Sequence, residues 1–115
     1  MITYTDEFGI TWELGIKLSK YYNNDNLYIG LVVLGKSSYD EDDDFMEGEP
    51  YADLSVNIEP LPEDCITVNI EYSKAGLDII EENNLGTFTG YYISSGYMQF
   101  PMYMMDMAEV KKHVV

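Results

Sequence analysis

Between Ile10 and Leu18 apolar and polar residues alternate without a break. Ile10, Trp12, Leu14, Ile16 and Leu18 fall on one side; Thr11, Glu13, Gly15 and Lys17 fall on the other. A strict period of two is the signature of a β-strand with one buried face. The flanking segments agree. Met1 to Thr5 is short and β-rich, and Asp6-Glu7-Phe8-Gly9 supplies turn residues. Asn23-Asn24-Asp25-Asn26 is a polar turn cluster. Leu27 to Leu34 returns as a more continuously apolar, and therefore central, strand. Turns of hairpin length predict an antiparallel meander.

Further along, Ser37 to Pro50 reads as a long acidic loop, because charge repulsion and turn residues oppose regular structure there. Tyr51 to Ile58 resumes alternation, with Ala52, Leu54, Val56 and Ile58 on one face, and Pro60 and Pro62 end it. Cys65 to Ile70 is another short β-like run. Ser73 is placed to cap a helix from Lys74 to Asn84, with Leu77, Ile80 and Asn84 on one face and Ile79 beside it. Gly76 weakens that helix by about 1 kcal/mol relative to Ala. Leu85-Gly86 reads as its stop, with Gly86 in the left-handed conformation. Thr87 to Met107 predicts one or two strands, and Ala108 to Val115 a short helical or frayed end. The expected fold is a single α+β domain over residues 1–115. It is a mostly antiparallel, twisted sheet of five or six strands, with one helix laying Leu77 and Ile80 on one face.

The chain is 115 residues long and 46% hydrophobic, enough for one domain with a core. Its charge is the unusual quantity. Asp and Glu number 21 against six Lys and no Arg, giving a net charge of -15. Direct binding to nucleic-acid phosphate or to an anionic membrane surface is disfavoured, since both rest on Lys and Arg. The lone Cys65 rules out an internal disulfide framework and a Cys-rich zinc site, and reads as a buried, inert thiol. The longest strongly apolar run, Ile29 to Leu34, is interrupted by Gly30 and falls far below the ~18 residues of a membrane span. Met1 to Glu13 carries no basic region of a signal peptide, so the cytoplasm is the expected compartment. No cofactor and no metal are expected.

In the C-terminal half the run Asn84-Leu85-Gly86-Thr87-Phe88-Thr89-Gly90 is followed by Ser95-Gly96-Tyr97 and then by Phe100-Pro101-Met102-Tyr103. This order resembles a family of small uncharacterised domains carried by bacterial conjugative elements. Its members have a strand ending in an Asn-Leu-Pro-like turn and an acidic helix ending Asn-Gly-Leu-Gly. Thr-Gly, Ser-Gly-aromatic and aromatic-Pro-Leu-Tyr then follow. Here the strand is Ala52 to Ile58, followed by Glu59-Pro60-Leu61-Pro62, and the resemblance spans Tyr51 to Tyr103. The chain departs from the pattern at Asn83-Asn84-Leu85-Gly86, at Phe100 and at Met102, and its Asp40 to Glu49 run lies outside it. The resemblance implies a mobile-element setting and no particular activity.

Several groups of residues carry possible chemistry. Asp40, Asp42 and Asp44 have the spacing of a calcium loop, but Phe45 stands where Gly is needed and Tyr51 where a bidentate Glu is needed. Read another way, Asp40, Glu41, Asp42, Asp43, Asp44, Glu47 and Glu49 form a partner-binding acidic loop. In extended chain their mean spacing is near ~5 Å, against ~3.4 Å between charges along one DNA strand. The same loop can simply be solvated. Yet a small domain stays soluble at a net charge of about 2–8, so the excess favours mimicry of nucleic acid. Asp78 and Glu82 are neighbours one helical turn apart, with Glu81 beside them, and no nucleophile or His accompanies them. His113, the one histidine, cannot form a triad or a metal cluster by itself. Tyr91, Tyr92, Tyr97 and Tyr103 crowd together with Met98, Met102, Met104, Met105 and Met107. Half of them belong in a strand-pair core; the rest can make an adaptable partner or homodimer surface.

The expected function is therefore that of a non-enzymatic inhibitor from a mobile element. It would act on a basic, nucleic-acid-binding bacterial defence protein, with an anti-CRISPR role against an effector nuclease foremost. An antirestriction DNA mimic is the neighbouring class. The rival reading is a structural or interaction module whose acidity serves solubility.

Overall fold

A computed structural model describes residues 1–36, 47–71 and 73–115. The first four strands are β1 (Ile2–Thr5), β2 (Thr11–Lys20), β3 (Leu27–Lys36) and β4 (Pro50–Asp53). They pair antiparallel in chain order as one sheet. The alternation reaches the core as expected, with Leu14 and Ile16 fully buried and Trp12 and Leu18 half-buried. β1 covers β2 only as far as the Ile2–Leu14 pair. Beyond it the C-terminal residues take over: the Ile16 N–H donates to the His113 carbonyl at 2.8 Å, and the Val115 N–H donates to the Ile16 carbonyl at 3.0 Å.

A second antiparallel sheet, ordered β5-β6-β8-β7, holds β5 (Ser55–Val56), β6 (Cys65–Val68), β7 (Gly86–Ser95) and β8 (Met98–Met105). The expectation of one sheet of five or six strands is thus corrected to two sheets of four. The division falls inside Tyr51–Ile58, which the alternation makes one strand. At Leu54 the chain leaves the β3 edge and joins β6. The Leu54 N–H donates to the Ile29 carbonyl in the first sheet at 2.9 Å, and its carbonyl accepts from the Asn69 N–H at 2.8 Å. Leu54 is fully buried, whereas Ala52, expected on the same face, is exposed.

Helix α1 (Ala75–Glu82) follows β6 and is shorter than predicted. It buries Ile79 and Ile80, while Leu77 is half-buried. Ser73 lies one residue outside the cap position, held by Lys74, and accepts the Ala75 N–H at 3.0 Å. The left-handed residue after the helix is Asn84 (φ 53), not Gly86. Gly86 opens β7 for a different reason: a Cβ there would lie 2.8 Å from the Met104 carbonyl oxygen. A short helix α2 (Met107–Lys111) ends the chain, its first turn capped by the Asp106 carboxylate, which accepts from the Ala108 and Glu109 N–H groups. Both sheets and both helices share one apolar core that joins Leu14, Ile29, Leu54, Ile66, Ile80 and Val110. Cys65 is buried outside that cluster, and burial pushes its thiol pKa up. Among the described residues no helix is long and apolar enough to cross a membrane.

Candidate interaction surface

Strand β7 is an edge of the second sheet, and its pairing with β8 is interrupted. Phe88 pairs with Tyr103 and Tyr92 with Pro101, so four steps along β7 match two along β8. The surplus is a bulge. Gly90 supplies the left-handed turn it needs (φ 90). The Thr89 hydroxyl holds it, donating to the Met102 carbonyl at 2.9 Å and accepting the Tyr91 N–H at 3.2 Å.

The bulge keeps Phe88 and Tyr92 on one face and draws them together, ring centroids 5.3 Å apart at 63°. Phe88 also meets Tyr103 at 5.7 Å. Across from these rings runs α1, and between them lies a cleft of about 240 Å³ lined by Ile70, Lys74, Leu77, Phe88, Tyr92, Pro101 and Tyr103. Tyr103 forms its floor and donates its hydroxyl to Glu81 Oε1 at 2.6 Å. Burial first, and then Glu81, push the Tyr103 pKa up to about 12. On the helix, Lys74, Leu77, Asp78 and Glu81 share one stripe by their spacing.

The residues expected from the sequence divide as follows. Tyr91 and Tyr92 are exposed at 68% and 56%, and Tyr97 projects fully from the β7–β8 turn, whereas Tyr103 is buried. Of the methionines, Met105 is buried and Met104 exposed. Phe88, 39% exposed, is a member of the aromatic group that sequence reasoning missed. The available signal was the Thr89-Gly90 pair, since an isolated Gly within a strand pattern suggests a bulge. Asp40, Glu41, Asp42, Asp43 and Asp44 lie outside the described residues, as does the calcium-like spacing they form. Glu47 and Glu49 are described and exposed, and the Glu49 carbonyl accepts the Val33 N–H at 2.8 Å.

Asp78, Glu81 and Glu82 form an exposed acidic face on α1. A second cavity, of about 290 Å³, lies beside them, lined in part by Tyr4, Asp6, Phe8, Tyr51 and Asp78. Asp6 organises its rim: it accepts the Trp12 indole N–H at 2.9 Å and the Phe8 and Ile10 N–H groups. The Trp12 bond, with the two backbone bonds, holds the Asp6 carboxyl below its ordinary pKa against some desolvation. Burial, reinforced by Asp78 and Glu82, raises the Tyr4 pKa. His113 is half-buried, with Nδ1 enclosed and without a hydrogen-bond partner among the described residues. Among those residues no group of three or more His, Cys, Asp or Glu is arranged to hold a metal ion.

The chain belongs to a family described as a domain of unknown function (DUF4313), whose match covers residues 15–114. No curated protein and no solved structure matches it.

Proposed function

We propose that this member of the DUF4313 family is a non-enzymatic inhibitor carried by a mobile element. It engages a basic, nucleic-acid-binding protein of a bacterial defence system, a CRISPR effector nuclease foremost. The observation that carries this reading is the uncompensated surface charge. The chain has 21 carboxylates against six lysines. Apart from half-buried Asp6 and Glu109, every described Asp and Glu is exposed. Lys112 pairs with Glu109 at 2.7 Å. Such a surface attracts Lys/Arg channels and repels nucleic acid. Of the two groups best suited to chemistry near neutral pH, Cys65 is buried and His113 is half-buried with Nδ1 enclosed, which favours binding over catalysis. The resemblance of Tyr51 to Tyr103 to domains of conjugative elements supports the genetic setting, and the cytoplasm is where such a partner is met.

The mechanism is competition: carboxylates occupy the channel meant for target DNA or guide RNA. The exposed Tyr91, Tyr92, Tyr97 and Met104 favour a second reading, an assembly module in which apolar contacts carry the interaction. A titration against the isolated effector, from low to high salt and with competing nucleic acid, separates the two. Screening shortens the reach of charge from ~10 Å at 0.1 M to ~3 Å at 1 M, so an inhibitor steered by charge loses on-rate and is displaced by nucleic acid. A flat salt response without competition would rule out mimicry and favour assembly. A restriction enzyme tested in parallel distinguishes the antirestriction variant.

A further inference from the structure

We propose that the cleft between α1 and the β7 bulge is an arginine-binding site, which takes the guanidinium of a basic protein partner. The inference rests on the partner chemistry proposed above and assigns it a place on the fold. A guanidinium is planar, weakly hydrated and able to stack on an aromatic face while its N–H groups reach a carboxylate. The cleft offers the aromatic surface, and a carboxylate stands next to it. Phe88 and Tyr92 present exposed rings along one wall, and their spacing is set by the Gly90 bulge rather than by side-chain mobility. Behind the Tyr103 floor stands Glu81, an exposed helix residue outside the cleft lining, one of whose carboxylate oxygens takes the Tyr103 hydroxyl at 2.6 Å. Asp78 and Glu82, on the same helix, face the Tyr4 cavity rather than the cleft and add negative charge to that end of the molecule.

Charge decides between occupants. A second copy would bring a net charge of -15 against the same charge, so a homodimer through this face is opposed. A lysine ammonium is compact and strongly hydrated, and gains less from the rings. Lys74 is the cation already lining the cleft, and its charge works against a second one.

The test uses the full chain and two dye-labelled probes, nona-arginine and nona-lysine, in fluorescence anisotropy at fixed near-physiological salt. The Arg probe is expected to bind severalfold tighter than the Lys probe. Tyr92→Ala and Glu81→Gln should each weaken the Arg probe severalfold and bring the two probes close to parity. Tyr92 is exposed, so its truncation leaves the fold intact, which an unchanged melting curve verifies; Phe88→Leu repeats the test with apolar volume retained. Lys74→Gln should tighten the Arg probe. Glu63→Gln, the same charge change outside the cleft, should alter it little. Equal binding of both probes, or equal losses from Glu81→Gln and Glu63→Gln, would overturn the site in favour of diffuse attraction. The site and the inhibitor reading fail separately. Loss of Arg preference in Tyr92→Ala with inhibition intact leaves the site and removes its role. Salt-sensitive, nucleic-acid-competed inhibition without any Arg preference leaves the role and removes the site.

Discussion

Phe88 and Tyr92 stand four residues apart on one strand, yet their ring centroids are 5.3 Å apart. An unbroken strand advances ~13 Å over four residues at ~3.3 Å each. The difference is absorbed at Thr89, Gly90 and Tyr91, where β7 spends its extra residues. An edge strand otherwise open to indiscriminate pairing is thereby kinked and given a shaped aromatic face.

Gly90→Ala tests that device. A Cβ at Gly90 would meet nothing within 4 Å, so the cost is the left-handed backbone alone. That cost is about 1–2 kcal/mol. A thermal melt should fall by several degrees, on the order of 4 °C or more per kcal/mol lost in a domain near this size. The Phe88–Tyr92 contact should loosen with it. A melting temperature equal to the parent's would mean that the bulge does not need its left-handed residue.

Leu54→Ala should be among the most destabilising truncations in the chain. Leu54 is fully buried where the backbone passes from one sheet to the other. Removing a buried Leu side chain costs about 2–5 kcal/mol. Ala52→Ser, two residues earlier and exposed, should cost less than about 0.5 kcal/mol. Equilibrium unfolding in urea measures both. Similar small losses at the two sites would refute Leu54 as the joint between the sheets.

The same joint marks the limit of what the sequence discloses. Strands β2 and β3 are legible because hydrophobic period and turn residues are local properties, whereas β7 and β8 are legible only as one or two strands over Thr87 to Met107. Leu54 is not, because Ala52, Leu54, Val56 and Ile58 keep their alternation while the chain changes partner. The α1 stop is misread for a related reason. Gly86 is the residue expected in the left-handed position, but Asn84 tolerates that position too, and Gly86 is required by the close approach of β8. For the site, Tyr91, Tyr92 and Tyr97 are legible as a surface by type. The inclusion of Phe88 and the burial of Tyr103 depend on a register shift that Gly90 hints at locally but that only the pairing with β8 fixes.

Alkaline pH should expose the two tyrosine–carboxylate contacts. The Tyr28 hydroxyl donates to Asp53 Oδ1 at 2.7 Å, and that bond, with burial, pushes its pKa up to about 12, the level also reached by Tyr103 beside Glu81. Both groups hold their protons more tightly folded than unfolded. Their contribution is therefore complete below the ordinary value of 10.0 and is lost as pH rises from there through about 12. Ultraviolet titration of tyrosinate should show a late-titrating class that shrinks in Tyr28→Phe and again in Tyr103→Phe. A single class centred on the ordinary value would contradict both contacts.

Acid should act on the C-terminal seam through His113. Its carbonyl continues the first sheet by accepting the Ile16 N–H, so the residue is fixed while its half-buried ring keeps Nδ1 from solvent. Burial lowers the imidazole pKa below 6.5, and the N-terminal ammonium lowers it further, while Glu109 opposes the shift. The folded chain therefore prefers the neutral ring. This contribution is present above the ordinary pKa of 6.5 and is lost as pH falls through the depressed folded value, where the unfolded chain binds the proton first. His113→Leu removes the titration and keeps an apolar side chain at the seam. The stability lost between about pH 7 and pH 5 should be smaller in this variant than in the parent, the carboxylates titrating alike in both. Direct observation of the imidazole by NMR decides the sign: a ring that titrates at or above its ordinary value would show that the seam does not select the neutral form.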